Sequence, residues 1–152
     1  MHLANYLGLL HRSLDALAAA YRQVASAHGD EPDVDRLCER FAGQCHDGAA
    51  RLRPFADAYG EDAPAEPERF RRDLFTGTRT GHLGLVRDLH DLYLMATECD
   101  ITWTIVGQAA QAARDRNLLA VVTTGETSTA AQLAWLRTRI KQSAPQALVV
   151  AR

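Results

Sequence analysis

The chain has 152 residues, about one domain's worth and long enough to bury a sizeable core. Hydrophobic residues make up 47% and charged residues 24%, which excludes disorder and collagen-like repeats. A formal net charge of -2, from 19 acidic against 17 basic residues, gives no pull toward nucleic acid or an anionic membrane surface.

The first segment repeats apolar residues at Leu3, Leu7, Leu10, Leu14, Leu17, Tyr21 and Val24. Steps of four and three keep that stripe on one side of a helix. Gly29, Asp30 and Pro32 stop it. A second helix is expected to open with Asp33 as its N-cap, and it carries Val34, Leu37, Cys38, Phe41, Cys45, Leu52, Phe55 and Tyr59 on one face. Pro54 interrupts that pattern and removes the bond to the Ala50 carbonyl, so a kink is expected there.

Residues 60–81 differ in kind. Pro64 and Pro67 frame an acidic stretch, Glu68–Phe75 has the makings of a short helix, and Gly77, Gly81 and Gly84 loosen the far end. A connection this long asks for a geometric reason, such as travelling the length of a bundle to join two parallel helices. A third helix is predicted over His82–Arg114, with Leu85, Leu89, Leu92, Ala96, Trp103, Val106 and Ala110 on its main face. Leu94, Ile101 and Ile105 form a second stripe well away from it. After a tight connection with Asn117 as N-cap, a fourth helix carries Leu118, Val122, Gly125, Thr129, Leu133, Leu136 and Ile140 before Pro145 ends it. No alternating, β-branched run signals a strand.

The expected fold is therefore all-α, a single domain over residues 1–152. It is a four-helix bundle with a long crossover between the second and third helices; a plain up-down bundle is the alternative. The stretches Leu52–Gly60 (LRPFADAYG) and Arg87–Leu94 (RDLHDLYL) look like those of small bacterial ferritin-like proteins, and with the short-long-short connections the chain resembles the ferritin-like superfamily. The resemblance covers nearly the whole length and implies a fold. Di-iron members place a Glu on each of two helices and Glu-x-x-His on the other two. This sequence departs from that motif: Glu39 is followed three residues later by Ala42, His46 is preceded by Gly43, and Glu126 is followed by Thr129. Asp15, the acid offered by the first helix, points away from its leucine stripe. The resemblance thus brings no di-iron centre with it.

Candidate chemical groups are few. Asp100 falls near the edge of the third helix's apolar face, with Tyr93, Thr104 and Gly107 close in register; it is a ligand, a general base or a structural carboxylate. Glu126 flanks the fourth helix's stripe and is placed to meet Asp100 across the helix pair, unless it pairs with an arginine. His11, His46 and His90 sit at stripe edges, and three histidines with Cys38 or Cys45 suit zinc or copper; hydrogen-bonded boundary histidines are the plainer reading. Gly77–Gly81 is either an anion-binding helix start or a flexible end of the crossover. A pocket between Trp103, Trp135 and the cysteines is a further reading.

Three cysteines are an odd number, and Cys38 and Cys45 stand about 10 Å apart along one helix, too far for a disulfide. Residues 1–20 do not read as a signal peptide, and the longest aliphatic run, Leu118–Val122, falls far short of a membrane span. Reduced thiols point to a cytoplasmic protein, and an arginine-rich composition with Lys141 the lone lysine points to a GC-rich bacterial genome. The expected function is a non-catalytic bundle with an eroded metal site and no cofactor. It would act through a protein partner or through self-association, as a homodimer seated on the third helix, without nucleic acid or membrane. The alternative is an atypical metal-binding or redox protein, holding iron, zinc or copper through Asp100, Glu126 and histidines such as His46.

Overall fold

A computed structural model describes residues 2–60 and 75–150. Helix α1 spans Leu3–Ala27, α2 Pro32–Gly60, α3 Gly81–Ala112 and α4 Arg116–Pro145, and a π-helical turn follows at Gln146–Val150. Among the described residues there is no strand. Among the same residues no helix is long and apolar enough to cross a membrane.

The leucine stripe of α1 points inward along its whole length: Leu3, Leu7, Leu10, Leu14, Leu17, Tyr21 and Val24 are all buried. The second helix starts with Pro32 in its first turn, where a missing N–H has no bond to break. Asp33 therefore lies inside the helix rather than capping it, and its carboxylate accepts from Arg139 Nε at 2.8 Å. The helix runs on through Pro54 to Gly60. Glu68–Leu74, most of the short helix expected before the third, lies outside the described residues. The main face of α3 is buried as expected, from Leu85 to Ala110.

Between α3 and α4 the cap belongs to Asp115, not Asn117. The Asp115 carboxylate accepts from the Leu118 N–H at 3.0 Å, three residues on, so α4 begins at Arg116. Just before it, Arg114 takes a left-handed φ of 55°, and the Asp115 N–H closes α3 on the Ala110 carbonyl. Pro145 ends the α-helical pitch, yet the chain continues as a π-turn.

Four end-to-end contacts set the helix directions. His28, just past α1, bonds Asp88 near the start of α3, while Tyr6 of α1 shares a groove with Ala109 and Ala112 at the end of α3. Tyr59, ending α2, donates to Asp115 before α4 at 2.7 Å, and Asp33, opening α2, holds Arg139 near the end of α4. Hence α1 is antiparallel to α3 and α2 to α4, so α2 and α3 point the same way. The hairpins α1–α2 and α3–α4 pack face to face, with α1 against α3 and α2 against α4. One continuous apolar core runs between them, with Trp103 among its largest fully buried side chains.

Candidate functional site

Three features of this bundle hold polar or reactive groups where solvent does not, or apolar groups where solvent does. The first is a buried ion cluster at one end. Asp88 sits on the apolar face of α3 beside Leu85, Leu89 and Leu92, and it is 0% exposed. Its Oδ2 faces His28 Nε2 at 2.8 Å and accepts from the Arg79 backbone N–H at 3.0 Å; its Oδ1 accepts from the Arg79 guanidinium at 2.9 Å. The guanidinium reaches on to Asp91 at 2.8 Å. A buried carboxylate needs such partners, since a lone charge there is costly. The Gly77–Gly81 segment thus clamps an anion, and the anion is the protein's own. Gly77 and Gly81 take positive φ, which lets the segment turn its Arg79 amide toward Asp88.

The second feature crosses the middle of the bundle. Tyr21 of α1 donates to Gln132 Oε1 of α4 at 3.0 Å, the Cys45 thiol of α2 points at the same oxygen at 3.7 Å, and the Gln132 amide donates to Gln44 Oε1 at 3.2 Å. Burial pushes the Cys38 and Cys45 thiols up to about 12 and Cys99 well above its ordinary value. At neutral pH all three are protonated thiols and pack as small apolar side chains. Trp135 meets Phe41 edge-on at 5.7 Å and does not line the cavity that Trp103 and Cys45 share.

The third feature faces outward. Leu94, Ile101 and Ile105 on α3 are 43%, 55% and 39% exposed. Leu83 is exposed too, and at ~100° per residue it falls on the same stripe. Beside Ile105 lies an apolar groove of about 430 Å³ between the start of α1 and the end of α3, walled by Leu3, Tyr6, Ala109 and Ala112.

The expected metal residues lie apart from these features. His46 is exposed on α2, and His90 is exposed on α3. His11 is half-buried and pairs with Asp15 at 3.5 Å. Asp100 is half-buried; Thr104 donates to its backbone carbonyl at 3.2 Å, not to its carboxylate. Glu126 is half-buried, with Oε1 3.9 Å from where a Cβ on Gly107 would stand. Among the described residues no hydrogen bond joins it to Asp100 and no ion pair joins it to an arginine. Within the same residues, no three His, Cys, Asp or Glu side chains are grouped to hold a metal ion. The first two features escaped sequence reasoning, although each left a trace: Asp88 and Gln132 are polar residues on otherwise apolar stripes.

Comparison with protein-family models, curated proteins and solved structures finds no match to this chain.

Elemental analysis of purified protein tests for a di-iron centre. The expected result is less than stoichiometric iron, because Glu39 is followed three residues later by Ala42, Glu126 by Thr129, and His46 is preceded by Gly43, so no Glu-x-x-His pair is formed. Two irons per chain would overturn it.

Proposed function

We propose that this chain is a non-catalytic, ferritin-like helical bundle of a bacterial cytoplasm that works by pairing with a second copy of itself across α3. The observation that carries the reading is the exposed stripe of Leu94, Ile101 and Ile105. A helix in a small bundle ordinarily has one apolar face, so a second stripe asks for a second partner. Identical stripes meeting about a twofold axis make an isologous contact, the commonest oligomer symmetry. Phe75 of the preceding segment is half-buried against the core; Phe70 and Leu74, the other residues able to cover the stripe, lie outside the described residues.

Magnitudes set the strength. A fully buried aliphatic side chain contributes about 1.5–3 kcal/mol, and these three are already about half-buried. Six such side chains across a twofold give roughly 4.5–9 kcal/mol, within the lower half of what association costs. The contact must therefore take in Leu83 and the groove beside Ile105, and the dimer dissociates on dilution.

Support for a ferritin-like crossover over residues 60–81 comes from the parallel course of α2 and α3. Twenty residues reach about 66 Å when extended, more than the roughly 43 Å length of α2. The free, buried thiols of Cys38, Cys45 and Cys99 suit a reducing compartment.

Light scattering at high protein concentration should report about twice the 16.7 kDa chain mass. Ile101→Glu should give a folded monomer, read by dichroism alongside scattering. Wild type that stays monomeric, or an Ile101→Glu variant that unfolds, would sink the reading.

A further inference from the structure

Given the α3 pairing proposed above, the geometry points to an antiparallel twofold in which the Gln146–Val150 turn of each copy docks in the apolar groove at the end of the other copy's α3. Among the described residues, two apolar surfaces besides the stripe face solvent, one at each end of α3. At one end, α4 finishes beside the start of α3, and the turn that follows lies against both helices. Ala147 is buried there, while Leu148, Val149 and Val150 stand 65%, 81% and 62% exposed, each more than any residue of the stripe. Three aliphatic side chains held out in a row on an anchored turn form a protrusion. At the other end lies the groove between Leu3 and Tyr6 of α1 and Ile105, Ala109 and Ala112 of α3, a hollow with apolar walls. Within one chain the two stand a helix length apart, about 48 Å for the 32 residues of α3, and cannot meet.

Two kinds of twofold lay one stripe on another. An axis along the helices keeps them parallel, so hollow faces hollow at one end and protrusion faces protrusion at the other. An axis across the helices reverses one of them and brings each protrusion to the partner's hollow. The stripe suits reversal, because Leu83 and Ala112 lie at nearly equal distances on either side of the α3 midpoint. The turn leaves the α4 flank of α3 and the groove opens on its α1 flank, so the paired helices must also cross. A crossing of ~20°, usual in bundles, moves a point about 24 Å from the axis roughly 8 Å sideways, close to one helix spacing. The sense required is the one that swings each turn toward the partner's α1. This second contact supplies what the stripe lacks, since stripe burial alone falls within the range that association costs.

The test uses single cysteines in the full chain, whose native thiols are all buried. Val149→Cys and Ala112→Cys chains are mixed and treated with a short bis-maleimide. The expected result is a cross-linked dimer in the mixture and little from either chain alone. Val149→Asp should keep the helical dichroism of wild type and raise the dimer dissociation constant tenfold or more, because each dimer would set two carboxylates against apolar walls. A wild-type dimer that Ile101→Glu dissociates but Val149→Asp leaves unchanged would overturn the docking and spare the stripe. Cross-linking of Val149→Cys alone that matches the mixture would reveal a parallel pair and overturn the docking as well. In the monomeric Ile101→Glu chain, Ala112→Cys should react with maleimide as fast as an open thiol. Protection there would mean that residues 61–74 of the same chain fill the groove, and the docking would fail. A monomeric wild type sinks pairing and docking together.

Discussion

Replacing Asp88 by alanine should lower unfolding stability by about 3–5 kcal/mol, the usual cost of removing one member of a buried ion pair. Asp88 is fully buried and holds three donor groups from two other parts of the chain. The loss falls unevenly. Arg79 is about a third exposed and keeps Asp91, so water can serve its guanidinium. His28 is almost wholly buried and has nothing to replace the carboxylate. For a chain of this length the melting temperature should drop by roughly 6–20 °C. Asp88→Asn, which keeps the shape and an oxygen, should cost about 1–3 kcal/mol. Urea unfolding followed by dichroism at one fixed protein concentration reads both values. Trypsin supplies a local readout, because Arg79 without its anchor should be cut faster. A loss below about 1 kcal/mol for Asp88→Ala would mean the cluster contributes little.

Gly125→Ala should also destabilise, against the ordinary trend for helices. In a helix interior alanine is favoured over glycine by about 1 kcal/mol. At Gly125 the added methyl would stand 2.3 Å from two ring atoms of Trp103, which is packed into the core and cannot step aside cheaply. Overpacking of this kind costs about 1–3 kcal/mol, which overturns the propensity gain. Gly43→Ala in α2 is the matched control: nothing lies within 4 Å of the new methyl, and this change should stabilise by up to about 1 kcal/mol. The pair separates packing from propensity. In a Trp103→Phe background the penalty at Gly125 should shrink, because the six-membered ring that blocks the methyl is gone. Equal penalties in both backgrounds would show that the clash is not with the indole.

The residues behind these two predictions differ in how legible they are. The stripe from Leu3 to Val24 declares itself because a 3.6-residue period belongs to one segment alone. The second stripe on α3 is readable for the same reason. Asp88 and Gln132 mark places where an apolar stripe is broken, but what satisfies them does not follow from spacing. Arg79 stands nine residues from Asp88, but the most distant partners stand 60 and 111 residues away, His28 for the one and Tyr21 for the other. Asp100 and Glu126 show the opposite limit. Both sit near stripe edges in register, yet register on two separate helices does not fix whether the carboxylates meet. The cap of α4 lies two residues before the expected Asn117, because Asp115 and Asn117 both suit the role. The geometry chose Asp115, which Tyr59 also holds from the end of α2. The close approach of the Trp103 ring to Gly48 and Gly125 has no sequence signal beyond two small residues.

The arrangement of the bundle as two hairpins laid face to face has a consequence for how the chain folds. Helices α1 and α2 meet across a four-residue turn, as do α3 and α4 across a three-residue one, so each hairpin closes a short loop and needs nothing from the other. Contacts this local form quickly. Docking the hairpins must then bring together residues as far apart as Tyr21 and Gln132, or Glu31 and Arg139, at a higher loop-closure cost. That cost grows only slowly with length. Lengthening the connection between residues 61 and 74 should therefore slow docking slightly and leave hairpin formation unchanged. Cutting the chain there would turn the bundle into two fragments whose reassembly rate depends on their concentration.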